Sequence, residues 1–104
     1  MLLGNYFHNI NKNYRNFSFS GISFNTNNIK KNNIFFAIKG NSIDGNKFIP
    51  KAIKKGSKII VTERKTNPLQ NGILYIHTKN VRKLLAETVF KIYKKKDLKI
   101  RKEE

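Results

Sequence analysis

GISFNTNNIKKNNIFFAIKGNSIDG, from Gly21 to Gly45, holds the two segments from which the rest of the chain can be laid out. Ile22, Phe24 and Thr26 fall on one side of an extended first segment, by the two-residue period of a strand. Ile34, Phe35, Phe36, Ala37 and Ile38 form a near-continuous apolar run, the pattern of a strand buried on both faces. Between them, Asn25 to Asn33 carries five Asn and two Lys, a composition that reads as a polar insert outside any core. Gly40 and Gly45 then bracket Asn41, Ser42, Ile43 and Asp44. Glycine at such places lets the backbone turn sharply and lets another group come close to the main chain.

Working outward, residues 1–16 are Asn-rich, and Leu2, Leu3, Tyr6, Phe7 and Ile10 recur at three- and four-residue intervals. That spacing predicts a short helix laid on the core. Phe17 and Phe19 alternate on the parity opposite to Ile22 and Phe24, so a bulge or tight turn is expected at Ser20–Gly21. Downstream, Phe48, Ile49, Ala52 and Ile53 make a helical stripe that starts near Asn46 or Lys47, because Pro50 is tolerated only in a first turn. Gly56 ends that helix as a C′ glycine, with Lys54 and Lys55 at its negative end. Lys58 to Thr62 is a buried strand, which makes strand–helix–strand a parallel crossover unit. Glu63 to Gly72 reads as a loop and Ile73 to His77 as a further strand. Asn80 is the expected N-cap of a last helix whose stripe is Val81, Leu84, Leu85, Thr88, Val89 and Ile92. Ala86 on its flank favours close packing, and Lys94–Lys95–Lys96 closes it. The fold class is therefore α/β: a small mixed β-sheet with two main helices, one domain over residues 1–96 and a charged tail over 97–104.

The chain has 104 residues, 38% hydrophobic and 12% aromatic, enough for one modest core. It has no cysteine, hence no disulfide and no thiolate metal site. No apolar run approaches the roughly 20 residues of a membrane span, and Gly4 and Asn5 interrupt any signal-peptide region. A cytoplasmic protein with no membrane partner is expected. The net charge of +16 invites a nucleic-acid reading. Yet Lys, Asn and Ile together make up almost half the residues, so the charge reads first as a compositional bias of solvated surface. Nonspecific, salt-sensitive binding of polyanions is its expected consequence. His8 and His77 stand apart from any carboxylate cluster, and the serines lack a nucleophile context such as G-x-S-x-G.

The order of motifs resembles the N-terminal domain of the Mur ligases, ATP-dependent ligases of peptidoglycan precursor synthesis. Members carry Asp-Ser-Arg, a Gly-Asp turn, a Leu-Phe-x-Ala strand and a Gly-x-x-x-Asp-Gly loop. Here those places hold Asn25-Thr26-Asn27, Asn32-Asn33, Ile34-Phe35-Phe36-Ala37 and Gly40 to Gly45, followed by fitting residues at Phe48-Ile49, Ala52 and Gly56. The similarity covers roughly Gly21 to Tyr93 and is greatest to the diaminopimelate- or lysine-adding members. Thr26 keeps the hydroxyl of the family serine. Asn25 and Asn27 remove a charge pair, and Asn32 can replace the turn glycine because Asn tolerates positive φ.

From pattern alone the Gly40–Gly45 loop is equally an ordinary strand-to-helix connection capped by Asp44 and an anion-binding loop at a helix start. The resemblance implies the second: the uridine nucleotide of UDP-MurNAc-dipeptide held by Phe24 (through its backbone), Thr26, Asn41, Ser42 and Ile43. It also implies ATP and Mg in full-length members, on a phosphate loop that follows the last helix, near Asp97–Ile100. No G-x-x-x-x-G-K-[ST] occurs, and no glycine lies beyond Gly72. The expectation is thus a fragment that binds the nucleotide sugar, carries no cofactor or metal, has no catalytic residue of its own, and works, if at all, with a separately encoded ligase core. The rivals are a small basic nucleic-acid-binding domain, which would need exposed aromatics among basic residues on a strand face, and a structural remnant with no ligand.

Overall fold

In the computed structural model, which describes residues 1–103 with side chains through residue 94, the central feature is a five-stranded sheet. Its strands are β1 (Gly21–Ser23), β2 (Asn33–Phe36), β3 (Ile59–Thr62), β4 (Leu69–Gln70) and β5 (Ile73–His77), in the spatial order β1-β2-β3-β5-β4. All neighbours run parallel except β4, which pairs antiparallel with β5 at one edge. The mixed sheet expected from the sequence is present.

Register explains why the apolar run at residues 34–37 is continuous. Ile34 pairs with Ile59 and Phe36 with Val61, while Phe35 pairs with Ile60 between them. The first pairs face a core with Leu3, Tyr6, Phe7, Phe19, Leu74 and Val81. Phe35 and Ile60 face a second core with Ile29, Ala37 and Ala52. Each face needs its own cover. The N-terminal segment and α2 (Val81–Glu103) cover one, and α1 (Ile49–Lys54) with the β1–β2 connection covers the other. Phe35 and Phe36 are 1% and 0% exposed, so neither is free to stack a base, and each gains roughly 1.5–3 kcal/mol from burial.

The helix ends follow the expected chemistry. Pro50 lies in the first turn of α1, and Gly56 follows it at φ 111°. At α2, the Asn80 side-chain oxygen accepts from the Lys83 N–H at 3.0 Å, and the stripe through Val81, Leu84, Leu85 and Ile92 packs on the sheet. The backbone of α2 runs on to Glu103, past the Lys94–Lys96 stop read from the sequence. No glycine or proline stands there to end it. The side chains of the expected tail, and Glu104 altogether, lie outside the described residues.

Four local expectations are corrected. The N-terminal helix is two 3-10 turns, Leu3–Asn5 and Lys12–Tyr14, because Gly4 and the Asn-rich spacer give little helical drive. The Glu63–Gly72 loop contains β4: Asn71 and Gly72, at φ 52° and 80°, form a two-residue hairpin turn into β5. The insert at residues 25–33 is not excluded from the core, since Thr26, Ile29 and Asn33 are buried. Ala86 is exposed, on the outer side of α2. Among the described residues, no helix is long and apolar enough to cross a membrane.

Candidate functional site

Parallel strands all release their following loops at one end of the sheet, the usual place for a ligand in open α/β folds. Here that edge collects residues 24–27 after β1, 37–45 after β2, 63–64 after β3 and 78–80 after β5. Because β1 and β2 are neighbours, the two groups of expected site residues leave adjacent strands at the same end.

Their exposure differs. Phe24 is 62% exposed, since β1 ends at Ser23 and Phe24 no longer shares the buried side of Ile22. Thr26 is buried, and its carbonyl accepts from Lys55 Nζ at 2.7 Å. Asn41, Ser42 and Ile43 are all exposed at the tip of their loop. Four of the five residues therefore reach solvent, and Thr26 does not.

The first loop is shaped by its own side chains. Ser23 Oγ donates to the Asn25 carbonyl at 2.8 Å, and Asn25 Oδ1 accepts from the Asn27 N–H at 2.8 Å. An amide oxygen thus makes the Asx turn that a carboxylate would make. Asn32 takes φ 66°, as its place in the turn requires, with its N–H donating to the Gly56 carbonyl at 2.9 Å.

The second loop is closed by nested backbone bonds, Gly45 N–H to Ile38 O and Gly40 N–H to Ile43 O, each 2.8 Å. Gly45 is obligatory by contact: a Cβ there would lie 2.7 Å from both the backbone N and O of Ile38. Below the loop runs a polar chain. Asp44 Oδ1 accepts from the Asn46 N–H at 2.9 Å and from its side-chain amide at 2.7 Å. Asn46 Oδ1 accepts from Thr62 Oγ1 at 2.6 Å, and Thr62 Oγ1 accepts from the Arg64 N–H at 3.1 Å. Arg64 returns to Asp44 Oδ2 at 3.5 Å. The hydrogen bonds from the Asn46 backbone and side chain hold the Asp44 carboxyl below the usual aspartate range, against a smaller push from burial and with lesser help from the Arg64 and Lys39 charges. The position of Asp44 as a helix-start residue was readable beforehand; the onward links to Thr62 and Arg64 are remote in sequence.

This arrangement corrects the expected anion site at the start of the first helix. A protein carboxylate already occupies that place, and the chain there forms a 3-10 turn, Gly45–Phe48, ahead of α1. The α2 terminus is likewise taken, its Val81 N–H donating to Glu63 Oε2 at 3.1 Å.

A separate open cleft of about 770 Å³ lies between the N-terminal segment, β5 and α2, and both histidines line it. None of Phe24, Thr26, Asn41, Ser42 and Ile43 borders it. Lys91 Nζ bonds the Tyr6 carbonyl at 3.0 Å across its end. For MgATP the residues present do not fit: the sequence has no phosphate loop, and among the described residues no three carboxylate or histidine groups gather to hold a metal.

Comparison with protein families matches residues 18–93 to the Mur ligase family, catalytic domain. Among curated proteins, the chain is 35% identical to a UDP-N-acetylmuramoyl-L-alanyl-D-glutamate–2,6-diaminopimelate ligase of Rickettsia typhi, over 86% of its own length and 18% of the relative's. It is 46% identical to the Clostridium tetani ligase of the same name, over 69% of this chain and 15% of that one. Among solved structures, the MurF ligase of Thermotoga maritima in complex with ADP aligns at TM-score 0.54 and 27% identity, over 64% of this chain and 15% of that chain. The UDP-N-acetylmuramoylalanyl-D-glutamyl-2,6-diaminopimelate–D-alanyl-D-alanyl ligase of Acinetobacter baumannii aligns at TM-score 0.56 and 20% identity, over 66% and 15% of the two chains. The chain thus spans under a fifth of the length of these proteins, and within that span both sequence and sheet agree: it belongs to the Mur ligase family.

Proposed function

We propose that these residues are the nucleotide-sugar-binding module of a peptidoglycan-precursor amino-acid ligase, holding the uridine nucleotide of UDP-MurNAc-dipeptide. The amino acid joined by the parent activity is diaminopimelate, as in the names of the curated relatives. The observation that carries the reading is the emergence of residues 24–26 and 41–43 from adjacent parallel strands at one sheet edge. Exposed Phe24 and Ile43 offer apolar surface to a pyrimidine, and Asn41 and Ser42 offer donors and acceptors to base or ribose. Thr26 supports the first loop from beneath and presents what remains of its surface to the ligand. The module holds the substrate, and the ATP-dependent step belongs to residues other than these. Phe35 and Phe36 are both buried and so cannot stack bases on the β2 face, which counts against the nucleic-acid alternative.

The test is an NMR titration of the labelled protein with UDP-MurNAc-dipeptide at near-physiological salt, with tripolyphosphate as the charge control. Shifts confined to Phe24–Thr26 and Asn41–Ile43, absent with tripolyphosphate, are expected. Equal, diffuse shifts over the lysine surface with both ligands would replace this reading with simple polyanion binding.

A further inference from the structure

β5 outlasts the strand that covers its outer edge. Only Ile73 and Leu74 pair with β4, and one further bond runs from the Tyr75 N–H to the Pro68 carbonyl at 2.7 Å. In an antiparallel pair of this kind the partner N–H returns a bond to the Tyr75 carbonyl, and proline has none to give. Thr66 and Asn67 do not carry the ladder on to His77, because both turn to the Gln70 side chain instead. On the inner edge the N–H groups of Leu74 and Thr78 donate to the carbonyls of Lys58 and Thr62. That alternation turns the main-chain groups of Tyr75 and His77 away from β3. Among the described residues no strand lies beside the Tyr75 carbonyl and the His77 N–H and carbonyl, and such a row is a template for a further extended chain.

The same stretch of β5 lines the cleft of about 770 Å³. Leu74 and Ile76 face the core under α2 and the N-terminal segment, and Ile73 and Tyr75 face the other core. A chain added beside β5 alternates in step and sends every second side chain into the cleft. Apolar surface waits there: Ile10, Tyr14, Ile76 and Leu84 line the cleft and are only partly buried. The charged lining is Lys79, Lys83 and Lys91 against Glu87 alone. Lys91 is tied to the Tyr6 carbonyl. Lys79 and Lys83 are exposed, and among the described residues no carboxylate lies within ion-pair distance of either. A second copy of this chain suits the edge poorly, since pairing edge to edge would set these lysines against their own duplicates on chains of net charge +16.

We infer that the outer edge of β5 from Tyr75 to His77 takes up a short, extended acidic peptide as a sixth strand, with alternate apolar side chains in the cleft and carboxylates on Lys79 and Lys83. Main-chain bonds hold the peptide whatever its sequence, the cleft selects apolar residues two apart, and the lysines select charge. β3 separates this edge from β1 and β2, so the inference does not depend on what the loops after those strands bind.

The probe is a capped seven-residue peptide in which valine alternates with threonine between terminal glutamates. Its controls are the same peptide with terminal lysines and a fully N-methylated version, which keeps the side chains and loses the backbone donors. Amide shifts locate the peptide on the full chain, titration gives Kd, and hydrogen exchange reports on the His77 N–H. Shifts are expected at residues 73–80, with exchange at His77 slowed about tenfold at saturation. The glutamate peptide is expected to bind about tenfold tighter than the lysine peptide, and Lys79→Glu/Lys83→Glu to reverse that order. The N-methylated peptide should bind at least about tenfold more weakly than its parent. Equal binding of the N-methylated peptide, or unchanged exchange at His77, overturns strand addition. A preference that survives the charge reversal overturns the role of the two lysines. Shifts spread over the whole lysine surface, or no shifts, overturn the site. Self-association of the peptide-free protein through residues 75–77, seen as a concentration-dependent mass, gives the edge to a second copy and overturns the peptide assignment.

Discussion

The two loops that leave β1 and β2 stand side by side at one edge of the sheet, yet they are held in different ways. Residues 24–32 fold largely on themselves: Ser23, Asn25 and Asn27 bond one another, and Ile29 drops into the α1-side core. From outside, Lys55 clasps its start at the Thr26 carbonyl, and Ser20 Oγ and the Gly56 carbonyl hold its end at the Lys31 carbonyl and the Asn32 N–H. Residues 37–48 instead depend on a buried chain that crosses from Asp44 through Asn46 to Thr62 on β3. Asn46 and Thr62 are 6% and 1% exposed. A hydrogen bond between groups that dry is far costlier to break by halves than one at the surface, because the abandoned partner cannot turn to water. The second loop should therefore be coupled to global stability, and the first only to its own opening.

The largest effect that would break this contrast is Thr62→Val. The shape is kept, but Asn46 Oδ1 and the Arg64 N–H lose their partner. A loss of about 2 kcal/mol is expected, read as a lower urea midpoint with an unchanged slope. Asn46→Ala should cost a similar amount. The double variant should cost about 1 kcal/mol less than the sum, since neither group is then left alone. Strict additivity would show that the two side chains do not act as a pair.

The same contrast explains what was legible in the sequence. The alternating faces of β2 and β3, the Pro50 and Gly56 limits of α1, the Asn80 cap and the positive φ of Asn32 all depend on neighbours within a few residues. So does the start role of Asp44. Thr62 and Asn46 meet across a separation no local pattern records: Thr62 read as the end of a buried strand and Asn46 as the start of a helix, with nothing to pair them. Phe24 was misplaced because alternation was carried one step past the end of β1, where the strand had lost its partner. β4 was missed although Asn71–Gly72 is a strong hairpin signal, because Leu69–Gln70 is too short to show any period. Of the candidate site, residues 41–43 are exposed. Arg64, which meets Asp44, comes from the loop after β3, and only the strand order brings the two loops together.

A smaller effect sharpens the other side of the comparison. Lys55 is exposed, and Lys55→Met removes its bond to the Thr26 carbonyl while keeping most of its length. Global stability should fall by about 0.5–1 kcal/mol at most. Amide hydrogen exchange should rise across residues 24–28, with the strands β2 and β3 still exchanging at their wild-type rates. A uniform rise over the whole sheet would mean that the first loop is as strongly coupled as the second.

The smallest effect lies at the point where the second loop meets solvent. Hydrogen bonds from the Asn46 backbone and side chain, assisted by the Arg64 and Lys39 charges, lower the Asp44 pKa in the folded state. A carboxyl whose folded pKa is depressed adds stability at pH above its unfolded value, and that contribution is lost as pH falls through the folded pKa. The acid limb of the stability curve should therefore be steeper for wild type than for Asp44→Asn, and the two curves should run parallel from neutral pH down to the ordinary aspartate range. The Asp44 carboxyl resonance should titrate below that range in wild type. It should move back towards it in Asn46→Ala, which removes the side-chain donor, more than in Arg64→Gln, because the hydrogen bonds outrank the exposed charge. The reverse order would mean that the loop is held at its mouth chiefly by the arginine, and that the buried chain beneath it ends at Asn46.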